Sequence, residues 1–195
     1  MYLFPNEKQE EERLKVRTFA EEVIAPEAAQ LDEEERFSSE LTIKMGEQGL
    51  LGMVAPKIYG GQEKDTLSYI IAVEELARVD SSQAATIVAH NSLGLVPIMD
   101  YGTDEQKENF LPKLTSGRYI WGFGLTEINA GSDARGTETT AVRDGNEWII
   151  NGSKRYITNA STSMTLGVTL QVMTNYDKGQ PKLTTILVES GTPGF

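Results

Sequence analysis

Residues 122–140 read GFGLTEINAGSDARGTETT, a stretch in which glycines stand among hydroxyl, carboxylate and guanidinium side chains. Backbone amides in a glycine-rich connection can turn inward and bind an anion such as a pyrophosphate. Gly131 would let a ligand approach the backbone closely, and Ser132 and Thr126 would add hydroxyl donors. An ordinary long turn explains the same glycines by backbone geometry alone, and spacing by itself favours that simpler interpretation.

Two common nucleotide-binding motifs fit this stretch poorly. Gly122 and Gly124 match the start of a dinucleotide fingerprint, but Glu127 stands where the third glycine is needed, and no helical pattern follows. Residues 131–138 have the glycine spacing of a P-loop, but they end in Thr and Glu where the motif needs Lys followed by Ser or Thr. Neither motif therefore explains the glycines.

The composition excludes several other kinds of site. The chain has 195 residues, no Cys and a single His, His90, which excludes cysteine nucleophiles, disulfides, most zinc sites and histidine-based triads. Acidic runs at 10–12 and 32–35 are typical of solvated helix faces, and we predict no metal site. A net charge of −11 argues against nucleic acid as the main partner.

The sequence indicates a cytoplasmic protein. Residues 1–15 are acidic and lack the apolar core of a signal peptide. The most apolar segment, residues 84–99, is interrupted by polar residues and by Pro97, and nothing approaches the length of a membrane span. We therefore expect no membrane insertion.

Residues 1–117 have the pattern of a helical domain. They carry all the excess negative charge, with 11 Lys and Arg against 22 Asp and Glu. Pro26 is expected to end or kink the first helix, and the apolar segment Ser81–Met99 is predicted to be a buried central helix with His90 as a hydrogen-bonded core residue. A helix from Asp65 or Thr66 through Val79 is predicted to carry Leu67, Ile70, Val73 and Ala77 on one side. The other predicted helices cover residues 16–31, 38–48 and 103–117, and the last of these opens with the capping-box spacing of Thr103 and Gln106.

From Tyr119 onward the pattern changes to strands. Residues 118–195 hold twelve Thr against six in residues 1–117, and Asp144-Gly145 and Asn151-Gly152 are hairpin signals. The strands follow one another without intervening helices, so we expect antiparallel pairing in a small barrel or sandwich, into which Trp121 and Trp148 pack. The predicted strands are 119–125, 139–143, 147–150, 153–158, 168–174 and 183–188, with a turn at 177–179 before the last.

Two segments resemble the signatures of the acyl-CoA dehydrogenase family. Phe123–Asp133, FGLTEINAGSD, is similar to its Leu-Thr-Glu-Pro-x-Ala-Gly-Ser-Asp segment, with Ile128 in place of Pro. Asn151–Asn159, NGSKRYITN, is similar to its Asn-Gly-x-Lys-x-(Trp/Phe)-Ile-Thr-Asn segment, with Tyr156 as the aromatic residue. Upstream, residues 101–117 resemble the end of the family's N-terminal helical domain. Two signatures in the right order are far more specific than one glycine motif.

The resemblance implies a multidomain α+β fold. It comprises an N-terminal all-α helical domain at residues 1–117, followed by an antiparallel β-barrel or sandwich middle domain at residues 118–195. The chain would end inside the middle domain, which is then incomplete, and before the family's C-terminal helical bundle. The resemblance also implies FAD as the cofactor. Ser132 is implied to contact the CoA part of the substrate in addition to FAD. The residues implied to bind FAD are Phe123, Leu125, Thr126, Gly131, Ser132, Tyr156, Ile157 and Thr158.

The reaction implied by the family is α,β-dehydrogenation of an acyl-CoA thioester, with hydride transfer to the flavin. The base in most members is a Glu of the C-terminal domain, and none of the 29 acidic residues here matches it. We nominate no catalytic residue, since Glu127 and Asp133 belong to the signature loop and suit ion pairing or capping better. We expect the chain alone to bind FAD weakly and to be inactive.

The family also implies an electron-transfer flavoprotein or similar acceptor as partner, and a homo-oligomer at full length. Two alternatives stay open. An acyl-CoA oxidase has the same fold but passes its electrons to oxygen. A non-catalytic binding or assembly module would keep the fold without a base.

Overall fold

A computed structural model describes residues 4–175 and 181–195, in which helices occupy the chain up to Thr115 and strands follow from Ile120. The helices are α1 Glu7–Phe19, α2 Ala25–Glu33, α3 Ser39–Glu47, α4 Thr66–Ala77, α5 Ser81–Val88, α6 Val96–Tyr101 and α7 Asp104–Thr115, with π-helical segments at Ala20–Ile24 and Ala89–Leu95 and single 3₁₀ turns at Leu50–Gly52, Lys57–Tyr59 and Ala134–Gly136. The strands are β1 Ile120–Gly124, β2 Thr140–Asp144, β3 Glu147–Asn151, β4 Thr165–Asn175 and β5 Pro181–Glu189. The predicted order of a helical part before a strand-rich part is confirmed.

The helix boundaries follow capping chemistry. Ser38 accepts the amide of Leu41 at the start of α3, and Asp65 accepts that of Ser68 at the start of α4. The capping box predicted from Thr103 and Gln106 opens α7, since each side chain accepts the other residue's backbone amide.

The interruption expected at Pro26 takes the form of a π-helical segment. The helix changes to π geometry over Ala20–Ile24, and α geometry resumes at Ala25 with Pro26 in its first turn. Proline lacks an N–H and its ring clashes with the carbonyl four residues earlier in an α-helix. The wider π-helical turn before Pro26 relieves this clash and lets the helix continue. Ala20 and Ile24 stay fully buried across this change.

The apolar side that the spacing groups together on α4 is not its buried side. Ile70 is 50% exposed, and the buried positions of the helix are Ser68, Tyr69, Ile71, Ala72, Glu75 and Leu76. Tyr69, Ala72 and Leu76 have helical spacing too and belong to the core. The charged residue Glu75 shares this buried face.

Glu75 lies at the centre of a buried cluster of ion pairs that joins α1 to α4. Its carboxylate accepts hydrogen bonds from Arg17 at 2.8 and 2.9 Å, from Arg13 at 3.0 Å and from Arg78 at 3.1 Å. The hydrogen bonds from Arg17 are the largest influence and lower the pKa of Glu75 to about 2, against the opposing effect of burial. The side chain is only 1% exposed, so the carboxylate depends on these partners for solvation.

The strands form a mixed sheet around β4. β1 and β2 both run parallel to β4, β5 pairs antiparallel with β4, and β3 pairs antiparallel with β2. The prediction of a purely antiparallel arrangement is therefore wrong for β1 and β2, whose partner is distant in sequence. The hairpin predicted at Asp144-Gly145 joins β2 and β3, while the turn predicted at 177–179 lies outside the described residues.

β1 anchors the sheet in the helical core. The pairing with β4 shifts register between Ile120 and Trp121, and both side chains are fully buried among helical residues. The Trp121 ring lies 5.1 Å from that of Phe110, and its Nε1–H donates to Thr169 Oγ1 at 2.9 Å. Trp121 thus packs in the core, as predicted.

His90 joins three elements and is the hydrogen-bonded core residue that the sequence predicts. Its Nδ1 accepts the Trp121 amide at 3.2 Å, so its Nε2–H donates to the Leu114 carbonyl, also at 3.2 Å. Complete burial lowers the pKa of His90 from 6.5 to about 4. The residue is therefore neutral in the folded protein at neutral pH.

Within the part of the chain that the structure describes, every helix is too short or too polar to span a membrane.

Replacing Glu75 by Gln should lower the free energy of unfolding by about 2 to 3 kcal/mol, because three arginines lose the buried anion that they surround. Urea unfolding at pH 7 measures this loss. Glu74→Gln is the matched control, since Glu74 also bonds Arg13 but is 61% exposed, and it should leave the unfolding midpoint almost unchanged. Equal losses in both variants would contradict the analysis.

Stability should fall as the pH drops from 6.5 toward 4 because of His90. In this range the unfolded chain binds a proton at His90 and the folded chain does not, so the contribution to unfolding free energy declines by at most about 1.4 kcal/mol per pH unit. Other groups titrate here too, so the measured quantity is the difference between the native chain and His90→Gln in urea unfolding at pH 7, 6 and 5. That difference should shrink toward acid pH, and parallel curves would disprove the assignment.

Candidate functional site

The glycine-rich loop, residues 125–139, lies between two strands that share one edge of β4. β1 ends at Gly124 opposite Leu170, and β2 begins at Thr140 opposite Met173. These partners are three positions apart on β4, which corresponds to roughly 10 Å along the strand. The fifteen-residue loop therefore leaves the sheet and returns to nearly the same place.

Glu127 closes this loop at its base. Its Oε1 accepts the Thr139 hydroxyl at 2.5 Å and the Thr139 amide at 3.1 Å, and its Oε2 accepts the Glu138 amide at 2.6 Å. Burial is the largest influence and raises the pKa of Glu127, but the hydrogen bonds, that from Lys154 foremost, together lower it to about 2. The carboxylate is thus ionised and fully engaged, which confirms the ion-pairing role expected for it.

The connecting loop, residues 152–164, lies against the glycine-rich loop. Lys154 Nζ donates to Glu127 Oε1 at 2.6 Å and to the Leu125 carbonyl at 3.0 Å, and the Arg155 amide donates to the Thr126 carbonyl at 2.8 Å. A methyl group at Gly122 would lie 3.1 Å from the Thr158 carbonyl oxygen, so this loop also passes close to β1. The structure therefore brings the two sequence signatures together.

The strand predicted at Ser153–Thr158 is absent, and Asn151-Gly152 is not a hairpin turn. β3 ends at Asn151, and Gly152 has a φ of 154°, with a Cβ that would lie 2.4 Å from Thr139 Oγ1. Tyr156 and Asn159 follow with φ values of 59° and 69°. Residues with left-handed backbones cannot continue a β ladder, so the segment is irregular.

Tyr156 is both exposed and strained. Its side chain is 79% exposed although its backbone occupies the left-handed region, which is unfavourable for a bulky residue. The Arg155 guanidinium lies 4.6 Å from the centre of its ring. An exposed aromatic face in a strained backbone conformation is typical of a ligand-contacting position.

Asn159 ties the connecting loop to the helical part of the chain. Its side-chain amide donates to the Thr86 carbonyl of α5 at 3.1 Å, and its own carbonyl accepts the Thr165 hydroxyl at 2.7 Å. Because Asn tolerates the left-handed region better than most residues, this position carries less strain than Tyr156.

The outer part of the glycine-rich loop is exposed and open. Among the described residues, no atom would lie within 4 Å of a Cβ at Gly131, and Ser132 beside it is exposed. Asp133 caps the 3₁₀ turn Ala134–Gly136 by accepting the Arg135 amide at 3.2 Å, as expected of a capping residue. Gln171 of β4 donates to the Ala134 carbonyl at 2.8 Å and holds this part to the sheet.

The residues predicted to form the site fall into three groups. Leu125 and Thr126 lie beside the segment that contains Tyr156, Ile157 and Thr158, while Gly131 and Ser132 lie in the open outer part of the loop. Phe123 is on β1 and borders a cavity of about 680 Å³ together with Trp148 and Thr169. Ile157 borders a second cavity, of about 550 Å³, together with Lys154 and Leu170.

The sequence-based prediction of the site omits Lys154 and Thr139. The Lys of the second signature is the signal that could have pointed to the pair with Glu127.

The geometry suits the binding of a flat aromatic group better than acid–base chemistry. The exposed ring of Tyr156, the hydroxyls of Thr126, Thr158 and Ser132 and the open backbone around Gly131 can contact such a group. The carboxylate of Glu127, which follows Thr126 in sequence, has its oxygens occupied by Lys154, Thr139 and the Glu138 amide.

Comparison with known families gives two matches along the chain. The model described as acyl-CoA dehydrogenase, N-terminal domain, matches residues 6–118. The model described as acyl-CoA dehydrogenase, middle domain, matches residues 122–195.

Known proteins show the same similarity. The short-chain-specific acyl-CoA dehydrogenase of Clostridium acetobutylicum is 43% identical over 96% of this chain and 49% of its own length. A chain from a structure of the electron transferring flavoprotein of Acidaminococcus fermentans superposes with a TM-score of 0.91 and 38% identity, covering 100% of this chain and 50% of that one. A glutaryl-CoA dehydrogenase from Mycobacterium smegmatis in complex with FADH2 gives a TM-score of 0.91 at 34% identity, covering 98% and 47%. The chain thus spans about half the length of these relatives.

Proposed function

Because this chain belongs to the acyl-CoA dehydrogenase family, we propose that it supplies the FAD-contacting part of an FAD-dependent acyl-CoA dehydrogenase. In this proposal residues 1–117 are a helical domain and residues 118–195 belong to a middle domain that contacts the cofactor. The observation that carries the proposal is the pairing of the two signature loops, which places Thr126 beside a segment with an exposed, strained aromatic residue.

FAD fits the residues that the two loops offer. The cofactor is flat and aromatic at one end and anionic at its pyrophosphate. The proposed contacts to its ring system are Phe123, Leu125, Thr126, Tyr156, Ile157 and Thr158. Gly131 and Ser132 are proposed to meet the pyrophosphate region, because their backbone is open and exposed. Ser132 is also proposed to contact the CoA part of the substrate.

The bound flavin would supply the hydride acceptor for α,β-dehydrogenation of an acyl-CoA thioester. The residues of this chain would orient the reactants and restrict access of water to the ring. The two acidic residues of the signature loop are poorly suited to take the α proton. The pKa of Glu127 is lowered to about 2 and its oxygens are bonded to Lys154 and Thr139, while Asp133 accepts the Arg135 amide as a turn cap. We therefore assign no catalytic base among these 195 residues.

The relatives support proposals for the substrate and for the electron acceptor. The similarity to a short-chain-specific dehydrogenase supports a short-chain acyl-CoA as substrate. The similarity to a chain in a structure of an electron transferring flavoprotein supports such a protein, or a similar acceptor, as the electron-transfer partner. Assembly as a homo-oligomer and a cytoplasmic location are further parts of this proposal, based on the resemblance and on the sequence.

Titration with FAD tests the proposal directly. The 195-residue chain should quench flavin fluorescence saturably but weakly, and the flavin absorbance should not bleach when butyryl-CoA is added, because none of its acidic residues matches the base of the family. Absence of saturable binding would contradict FAD as the cofactor. A stoichiometric yellow complex that bleaches with butyryl-CoA would instead contradict the absence of a base.

Tyr156→Asn should separate cofactor binding from stability. Asn accepts the left-handed conformation better than Tyr, so relief of strain of about 1 kcal/mol should offset the lost contact with Arg155, and the unfolding free energy should not fall. FAD affinity should fall, because the exposed ring is gone.

Ile58→Asn is the matched control, since Ile58 is 84% exposed in the helical part and its replacement should leave FAD affinity unchanged. Urea unfolding and fluorescence titration provide the two measurements. A large loss of stability in Tyr156→Asn, or equal effects of both substitutions on FAD affinity, would refute this role for Tyr156.

A further inference from the structure

The ion pair between Lys154 and Glu127 is the feature of the site that binding of a cofactor does not itself explain. Both side chains are nearly buried, with exposures of 8% and 4%. Removing two charges from water costs several kcal/mol per ion, and replacing a buried ion pair by apolar residues is often neutral or stabilising. The pair is therefore poorly explained as a source of stability alone.

The contacts of Lys154 surround one residue of the glycine-rich loop. Its ammonium donates to the carbonyl of Leu125 at 3.0 Å and to the carboxylate of Glu127 at 2.6 Å, which are the residues on either side of Thr126. The carbonyl of Thr126 itself accepts the amide of Arg155 at 2.8 Å. Three consecutive residues of one loop are thus held by two consecutive residues of the other.

The stem of Lys154 lies close to the end of β1. A methyl group at Gly124 would lie 3.3 Å from Lys154 Cγ and 2.5 Å from Leu170 Cδ2, so the absence of a side chain at this position gives both residues room. The ammonium therefore reaches its two acceptors along a path bounded by the sheet. A packed stem and two fixed acceptors restrict the rotamers of Lys154.

The same contacts set the position of Tyr156. Only one residue, Arg155, separates Lys154 from Tyr156 in sequence, and the backbone reaches its strained φ of 59° immediately after the Arg155 amide is bonded to Thr126. A strained conformation persists only where the surrounding structure over-determines it. The bonds of Lys154 and Arg155 provide that constraint on the N-terminal side.

We propose that Lys154 is a positioning residue that holds Thr126 and Tyr156 at a fixed separation, so that both loops present their contacts to the flavin together. The identity of the ligand as FAD rests on the proposed function. The mutual restraint of the loops is a property of the chain itself. Lys154 acts through Thr126 and Tyr156 and takes no part in the chemistry.

Amide hydrogen exchange of Arg155 in the flavin-free chain tests the restraint. In Lys154→Met, which keeps most of the length of the side chain without its charge, the Arg155 amide should exchange at least about tenfold faster relative to the amides of β4, whose rates report the loss of global stability. Glu75→Gln is the matched control, because it lowers global stability by breaking a buried ion-pair cluster of the helical part. It should not accelerate exchange at Arg155 relative to β4.

The double variant Lys154→Met/Glu127→Gln distinguishes positioning from stability. It leaves no buried charge unpaired, so thermal stability should recover relative to Lys154→Met, while exchange at Arg155 stays fast. If exchange at Arg155 returns to the native rate together with stability, the pair is structural only and the proposal is wrong. Should Lys154→Met fail to fold, the double variant is compared directly with the native chain.

Fluorescence titration with FAD gives the second readout. Affinity should fall by about tenfold to a hundredfold in both Lys154→Met and the double variant, because the two loops no longer hold their separation. Unchanged affinity in both would overturn the positioning role. If the native chain binds no FAD, the proposed function fails, and hydrogen exchange alone still decides whether Lys154 restrains the loops.

Discussion

The end-to-end placement of β1 and β2 along one edge of β4 is the constraint from which the candidate site follows. Because both strands run parallel to β4, the chain between them has to leave the sheet and come back without forming a hairpin. The glycine-rich loop is the result, and most of its backbone polar groups need partners other than a strand ladder. Glu127 meets part of this need by accepting the amides of Glu138 and Thr139, as a capping residue does at a helix end.

The helical part contributes to the same arrangement through a small number of polar contacts. His90 bonds the first strand to the end of α7, and Asn159 bonds the connecting loop to α5. These contacts are buried, so each fixes a distance between elements that apolar packing would leave adjustable. Trp121 adds both apolar packing and a hydrogen bond at this junction. The connecting loop, to which the glycine-rich loop is bonded, is thereby held between the sheet and the helices.

Local chemistry made much of this fold predictable from the sequence. Capping at Ser38, Asp65 and Thr103 follows from side chains adjacent to the helices they begin, and the hairpin at Asp144-Gly145 follows from its turn residues. The parallel pairing of β4 was not predictable, because it depends on partners dozens of residues away. The buried face of α4 was not predictable either, because two apolar faces are possible on this helix and one of them also carries Glu75, whose arginine partners on α1 are distant in sequence.

The candidate site likewise combines features that the sequence predicts with features that it does not. The two signatures indicated which segments meet, but neither the burial of Lys154 nor the left-handed backbone of Tyr156 can be inferred from residue type. Both features run against local preference, since lysine is rarely buried and tyrosine rarely has a positive φ. Strained conformations cost stability and persist only where several surrounding contacts fix them. Such conformations concentrate at ligand-binding positions. In this chain the two features occur two residues apart, on the loop that is bonded to the glycine-rich loop. That coincidence supports a ligand between these loops independently of any relative.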